Sequence, residues 1–362
     1  MNQTLFPVYV EKYFPNYVVS VSEAMDGRSL NNQLPFLFKS LLNPTYSADG
    51  RWASITAKYN TVAADVVALG SPTPLKSRDA LSTYIGDIPK IAIKRSLNEV
   101  EMKNIDAMIA LNRPEDDIVN RIFSDVPFVI NGVDERIEDL FLSEFSTGVG
   151  LTPNNIGEGV RLDMHFLNDN KFACTGYAWS NANATPISDL QKVFDKASED
   201  GNAIRHCYAD DTALRAMYKN AEVRGMFGFS MNYVGGGSNV PNLSFSQLES
   251  MFLTQFGITL HRVARTTKTE INGVVGKHKA WANGTLAFAC DDRIGDLVYT
   301  STAEETRPVG GVAYQMANEY TLVSEYAEQE PLIEFTKAQA MAVPVINNVD
   351  RIYLLDSTQV EA

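Results

Sequence analysis

Tyr208-Ala209-Asp210-Asp211, inside "CYADDT", is the run in this chain whose residue types come nearest to a catalytic motif. Reverse transcriptases use a Tyr-x-Asp-Asp box on a tight hairpin, where the paired carboxylates hold two metal ions for phosphoryl transfer. That chemistry needs a second apolar strand directly after the box. Here "TALRAMYKN" follows, with Leu214, Met217 and Tyr218 at helical spacing. Asp210 or Asp211 then makes better sense as a helix N-cap. A metal-dependent nucleotidyl transferase or nuclease using Asp210 and Asp211 is the alternative function.

A second carboxylate pair, Asp291-Asp292 in "ACDDR", precedes Ile294-Gly295 and reads as a turn. A metal site there has no third ligand in the surrounding sequence. His165, His206, His261 and His278 show no HxxxH spacing, and the first three lie in strand-like runs as hydrogen-bonded structural residues. No Ser sits in a GxSxG elbow. Gly235, Gly236 and Gly237 lack the GxxxxGK[ST] phosphate-loop pattern and read as a flexible loop. Cys174, Cys207 and Cys290 are widely spaced without a CxxC, as in a chain that keeps reduced core thiols in a cytosol-like compartment. No catalytic, cofactor-binding or metal-ligating residue is expected, and no cofactor.

The chain has 362 residues, room for two or three globular units, with 45% hydrophobic and 21% charged residues. The net charge is −13. An acidic chain does not grip phosphates through bulk charge, which counts against a polymerase, a repressor or a histone-like role. A wall that surrounds DNA without sticking to it stays compatible. The N-terminal "MNQTLFPVYVEKYFPNY" lacks the pattern of a signal peptide, and no run of about 18 apolar residues predicts a membrane span.

The elements that must position these residues come in a definite order. Residues 1–40, punctuated by Pro7, Pro15 and Pro35, predict an extended arm or short helices lying on this chain or on a neighbour. "WASITAKYNTVAADVVAL" and "IPKIAIKRSL" predict two strands of a long hairpin, with "GSPTPLKSRDALSTYIGD" as its polar tip. Lys76, Arg78 and Asp79 on that tip are either solvated or docked onto a neighbouring subunit. Ile118, Ile122, Val126, Val129, Val133, Ile137 and Leu140 form one apolar stripe, predicting a helix over about 113–146 with a kink or bend near Pro127 and Gly132. Strands at 159–180 follow. "TPISDLQKVFDKASEDG" predicts a helix capped by Thr185 and stopped by Gly201. Ser244 and Gln247 are spaced as a capping box. The chain ends in the strands "EYTLVSEYA" and "PLIEFTKAQAMAVPVINNVDRIYLLDS", which return to the sheet begun at 159–180.

This order of parts resembles the major capsid proteins of tailed bacteriophages with the Hong Kong 97-type fold, the lambda-like E family in particular. "EFTKAQAMAVPVINNVDRIYLLD" (Glu334 to Asp356) resembles that family's closing strands. "VVALGSPTPLKSRDALSTYIGDIPKIAIKRSLNE" resembles its extended-loop hairpin. "DLQKVFDKASEDG…CYADDTALRAM" resembles its helix–strand–helix of the axial domain.

The resemblance implies an α+β chain with an N-terminal arm (1–45) and an extended-loop β-hairpin (46–100). It implies a peripheral domain (101–184 and 306–362) with a spine helix on a sheet, and a mixed α/β axial domain (185–305). It implies a structural subunit, not an enzyme, that assembles with copies of itself into hexamers and pentamers of an icosahedral head enclosing double-stranded DNA. Lys76, Arg78 and Asp79 are its candidate inter-subunit contacts. Scaffold, portal and decoration proteins are the further partners it admits. The protein would be made in the bacterial host cytoplasm and reside in the virion capsid, without a membrane.

Overall fold

The computed structural model describes residues 4–25, 27–30, 34–57, 81–152, 159, 161–230, 242–271 and 273–361. It begins with α1 (Pro7–Met25), α2 (Leu37–Leu41), β1 (Leu42–Tyr46), β2 (Arg51–Ala57), β3 (Leu81–Asp87) and β4 (Lys90–Leu97). Then come α3 (Glu99–Ala110), α4 (Glu115–Ile122), α5 (Val126–Thr147), β5 (Val149–Leu151), β6 (Arg161–Asp163) and β7 (Lys171–Cys174). The middle holds α6 (Pro186–Glu199), β8 (His206–Asp210), α7 (Asp211–Lys219), α8 (Ala221–Ser230), α9 (Phe245–Met251), β9 (Thr259–Val263), β10 (Thr267–Ile271), β11 (Val274–His278) and β12 (Thr285–Ala289). The chain closes with β13 (Gly295–Thr300), α10 (Ala303–Thr306), β14 (Ala313–Met316), β15 (Leu322–Gln329), β16 (Leu332–Ile346) and β17 (Ile352–Val360).

Two sheets carry the fold. A six-stranded sheet runs β1-β13-β16-β15-β14, with β4 also paired to β16. The buried helix α5 lies on it. Ala338, Ala340 and Ala342 of β16 are fully buried, small side chains that give the helix a flat floor. A five-stranded sheet runs β7-β17-β12-β8-β9, and α6, α7 and α9 bury Leu190, Leu214 and Leu248 in its own apolar cluster.

The closing stretch is therefore the end of two sheets. β16 is the long central strand under α5, pairing with β15, β13 and β4. β17 leaves it and enters the other sheet, parallel to β7 and antiparallel to β12. Ile352, Tyr353, Leu354 and Leu355 are all buried, the continuous apolar run of a strand covered on both faces. The expected return to residues 159–180 occurs at β7, but that strand's sheet is shared with residues 206–289. Conversely β13, inside the block 185–305, pairs with β16.

Several elements differ from expectation. Residues 7–25 are one long helix rather than an extended arm or short helices, and it lies on its own chain, one of the two surfaces expected, with Val10, Phe14 and Val18 buried. The pairing partner of β2 is β3, which the sequence places in the polar tip, whereas "IPKIAIKRSL" supplies β4 of the six-stranded sheet. β3 carries Gly86 and an exposed Ile85, so it shows no alternation to betray it.

The stripe from Ile118 to Leu140 is split between two helices, broken at residues 123–125. Pro127 is the cause. Its ring excludes the carbonyl of Phe123, four residues back, and it has no N–H to offer, so the first helix ends and a new one starts with Pro127 in its first turn. α5 continues unbroken through Gly132. A Cβ there would come within 2.8 Å of Ile93 Cδ1, so this glycine lets β4 close on the helix. Gly148 ends α5 with a left-handed φ of 84°.

Candidate functional site

β8 runs straight into α7, so the "YADD" carboxylates sit at a strand-to-helix junction and not on a hairpin. Asp210 is the N-cap of α7. Its fully buried carboxylate accepts from the amides of Ala213 (3.0 Å) and Gly284 (3.2 Å) and from Lys279 Nζ (2.6 Å). Burial works to raise its pKa, but Lys279 and the two amides outweigh it and hold the group below its usual value. Asp211 points elsewhere and takes Arg262 in a bidentate grip at 2.6 and 3.0 Å, which holds it low as well. Each carboxylate is committed to a cation of its own chain, and the two do not converge on a shared position.

The second pair is likewise divided. Asp291 pairs with Arg351 (2.9 Å), and Asp292 with His206 Nε2 (2.8 Å). Among the described residues no group of three or more His, Cys, Asp or Glu is placed to hold a metal ion. The three cysteines are free and buried, and burial lifts the thiols of Cys174 and Cys290 to about 12, far from a reactive range. His206 and His261 do meet, Nδ1 to Nε2 at 3.1 Å, because β8 and β9 are parallel neighbours with His261 opposite Tyr208. Burial and the neighbouring His206 depress His261. His165 is not in a strand; it sits at φ 50° and stacks on Tyr84 at 3.9 Å.

Two substitutions check these roles. Asp210→Asn keeps the cap but strands Lys279 and should cost about 1–3 kcal/mol of unfolding free energy. Asp211→Asn, in a more exposed pair, should cost under about 1 kcal/mol. Neither should change the chain's reactivity toward nucleotides, read as polymer synthesis or cleavage in the presence of magnesium, because the wild type has none. Magnesium-dependent turnover that disappears in the double variant would contradict this assignment.

Among the described residues, buried acids gather inside α5. Asp134, Glu135, Glu138, Asp139 and Glu144 are all buried. Asp134 receives Lys39 Nζ (2.6 Å) and Tyr320 Oη (2.9 Å). Glu138 caps the start of α2, accepting from the Leu37 and Phe38 amides at 3.0 Å each. Asp139 holds Thr267 Oγ1 and His278 Nδ1, at the base of the β10–β11 ribbon. Arg265, 3% exposed, binds Glu135 at 3.2 Å, lies 3.7 Å from Glu138, donates to the Pro35 carbonyl at 3.0 Å and stacks on Phe36. Sequence reasoning missed this network. Its one signal was "DERIEDLFLSE", acids crowded into the apolar stripe of a helix that has to be buried.

Other buried acids have no partner. Both oxygens of Glu144 and of Glu325 lack a hydrogen bond. Burial pushes Glu144 well above its ordinary value, and burial together with nearby Glu334 and Asp125 does the same to Glu325. Burial lifts Glu138 to about 7 against the pull of Arg265, and raises Asp134 against Lys39. Glu144 and Glu325, which have no cation beside them, stay protonated in the fold while the unfolded chain ionises near pH 4.5, so stability falls as pH rises above about 4.5. Asp210 and Asp211, held low, withdraw stability only as pH falls below about 4. The urea midpoint should therefore be higher at pH 5 than at pH 8, by a free energy on the order of 3 kcal/mol. Glu144→Gln with Glu325→Gln should flatten the difference, and equal midpoints at the two pH values would refute it.

Lys76, Arg78 and Asp79 lie outside the described residues, as do Gly235, Gly236 and Gly237. No helix among the described residues is long and apolar enough to cross a membrane.

The capsid protein of a prophage from E. coli CFT073 has a similar structure, with a TM-score of 0.59 at 15% identity, covering 94% of this chain and 98% of that one. A phage-related protein from Bordetella bronchiseptica RB50 gives a TM-score of 0.51 at 12% identity, covering 93% and 96%. At these identities the likeness speaks for the fold, which is the Hong Kong 97-type phage capsid fold. No curated protein sequence matches the chain. The family model described as phage major capsid protein E matches residues 28–354, a span that takes in the six-stranded sheet, most of the five-stranded one, α5 and every carboxylate pair considered above. The chain belongs to the phage major capsid protein E family, a structural subunit of a phage head and not an enzyme.

Proposed function

We propose that this chain builds an icosahedral phage head by joining copies of itself into hexamers and pentamers, and that the finished shell encloses double-stranded DNA. The family match over 28–354 carries this reading. Surface composition supports it. Phe229 is 86% exposed, Val8 73% and Leu111 71%, apolar side chains on separate elements that a shell of neighbours would cover. The charge of −13 suits an inner wall from which DNA slides free.

In this reading residues 1–45 are the arm, 46–100 the extended loop, 101–184 and 306–362 the peripheral domain, and 185–305 the axial domain. The six-stranded sheet under α5 supports the peripheral unit, and the second apolar cluster supports the axial one. β17 and β13 cross between the two, so neither unit closes its sheet alone. Lys76, Arg78 and Asp79 dock the loop on a neighbouring subunit. Scaffold, portal and decoration proteins join the assembly, which forms in the bacterial host cytoplasm and leaves in the virion.

Sedimentation velocity on the concentrated chain tests this. Species near five and six times 40.0 kDa, or larger closed particles, are expected. A 40.0 kDa monomer at every concentration, alone and when co-expressed with the adjacent phage gene products, would overturn it.

A further inference from the structure

β10 and β11 form a two-stranded ribbon that joins neither main sheet. Its base is fixed, since Thr267 and His278 both bind Asp139 of α5. Beyond the base it stands in solvent, with Val274 71% and Val275 59% exposed. The register sets Lys268 directly opposite Lys277, and Glu270 opposite Val275, all on one face. Like charges directly opposed weaken an antiparallel pair, and a lone ribbon is marginal in water. Glu270 lies diagonal to Lys277 but forms no ion pair with it, and neither lysine has a carboxylate partner among the described residues. The ribbon is thus a projection with two uncompensated ammonium groups around an exposed valine.

A different patch of the subunit offers a complement. A groove of about 420 Å³ between α1 and α4 is lined by Tyr13, Tyr17, Asp116 and Asn120 among others. Its acidic rim is the first turn of α4, Glu115, Asp116 and Asp117. Glu115 is taken by Lys12, whereas Asp116 and Asp117 are exposed without a cation. Aromatic walls beside carboxylates match valine beside lysines.

We infer that β10 and β11 of one subunit dock in the α1–α4 groove of a second copy, Val275 against Tyr13 and Tyr17, and Lys268 and Lys277 against Asp116 and Asp117. Ribbon and groove are different patches, so the contact is head-to-tail, the kind that closes into rings. The inference rests on the self-assembly reading above and adds the pair of surfaces that meet.

The test compares wild type, the Lys268→Glu/Lys277→Glu variant, the Asp116→Lys/Asp117→Lys variant and the fourfold combination by sedimentation velocity. All four sites are exposed, and circular dichroism confirms that each variant is folded. Each double reversal should raise the concentration needed for half-assembly at least tenfold, and the fourfold chain should recover to within about threefold of wild type, since a close charge pair restored at an interface carries that much coupling. Wild-type assembly matched by both double variants would overturn this contact while leaving self-assembly intact. Double variants that fail and are not rescued by the combination would overturn the pairing. A wild type that never assembles would overturn the self-assembly reading, and this one with it.

Discussion

Arg265→Ala should cost the folded subunit about 3–5 kcal/mol, the penalty of leaving buried charge without its counter-ion. The guanidinium is the only cation within 4.0 Å of Glu135 and Glu138 among the described residues, and it also ties the Leu34 and Pro35 carbonyls to the helix. Removing it strands two acids of α5 and loosens the segment that leads into α2. Arg265→Lys should recover less than half of the loss, because an ammonium cannot fork between two carboxylates and two carbonyls or stack on Phe36. The urea midpoint, with the slope checked for constancy, measures this. A cost below about 1 kcal/mol would mean that the α5 acids are neutral enough to need no cation.

Phe145→Ala should cost about 3–5 kcal/mol for a different reason, a cavity where two layers meet. Phe145 is fully buried near the end of α5, stacked on Phe141 at 5.7 Å and set edge-on to Tyr208 (5.2 Å) and Trp281 (5.6 Å). Tyr208 belongs to β8, so this ring couples the spine helix to the five-stranded sheet. The surface control Phe229→Ser should move monomer stability by no more than about 0.5 kcal/mol. Guanidinium unfolding followed by far-ultraviolet dichroism separates the two. Equal costs at both positions would sink the argument.

Much of this fold is written locally. Pro186 opens α6 and Gly201 stops it as their residue types dictate, whereas Thr185 holds the N-cap position without a side-chain cap hydrogen bond; Ser244 with Gln247 forms the capping box of α9. The helical spacing after "YADD" already made Asp210 or Asp211 a cap, and the structure gives the place to Asp210. What local pattern does not encode is partner choice. Nothing in "IPKIAIKRSL" says that it pairs with residues 334–341 instead of folding back on β2, since an alternating strand fits either neighbour. The break at residues 123–125 follows from one proline, which an apolar stripe read by period alone steps over. The His206–His261 contact and the Arg265 anchor join residues 55 and 130 positions apart, and only the parallel register of β8 and β9 and the burial of α5 bring them together.

Each carboxylate that invited a catalytic reading is spent on a cap, an ion pair or a buried anchor, which is what a protein needs when its task is to hold shape under load from its neighbours.

Electron microscopy of particles purified from cells co-expressing this chain with the neighbouring phage gene products tests that task most directly. Closed icosahedral shells are predicted, with density for this chain at both the fivefold and the sixfold positions. Cells that accumulate the folded chain but yield no ring, shell or tube under any of these conditions would contradict it.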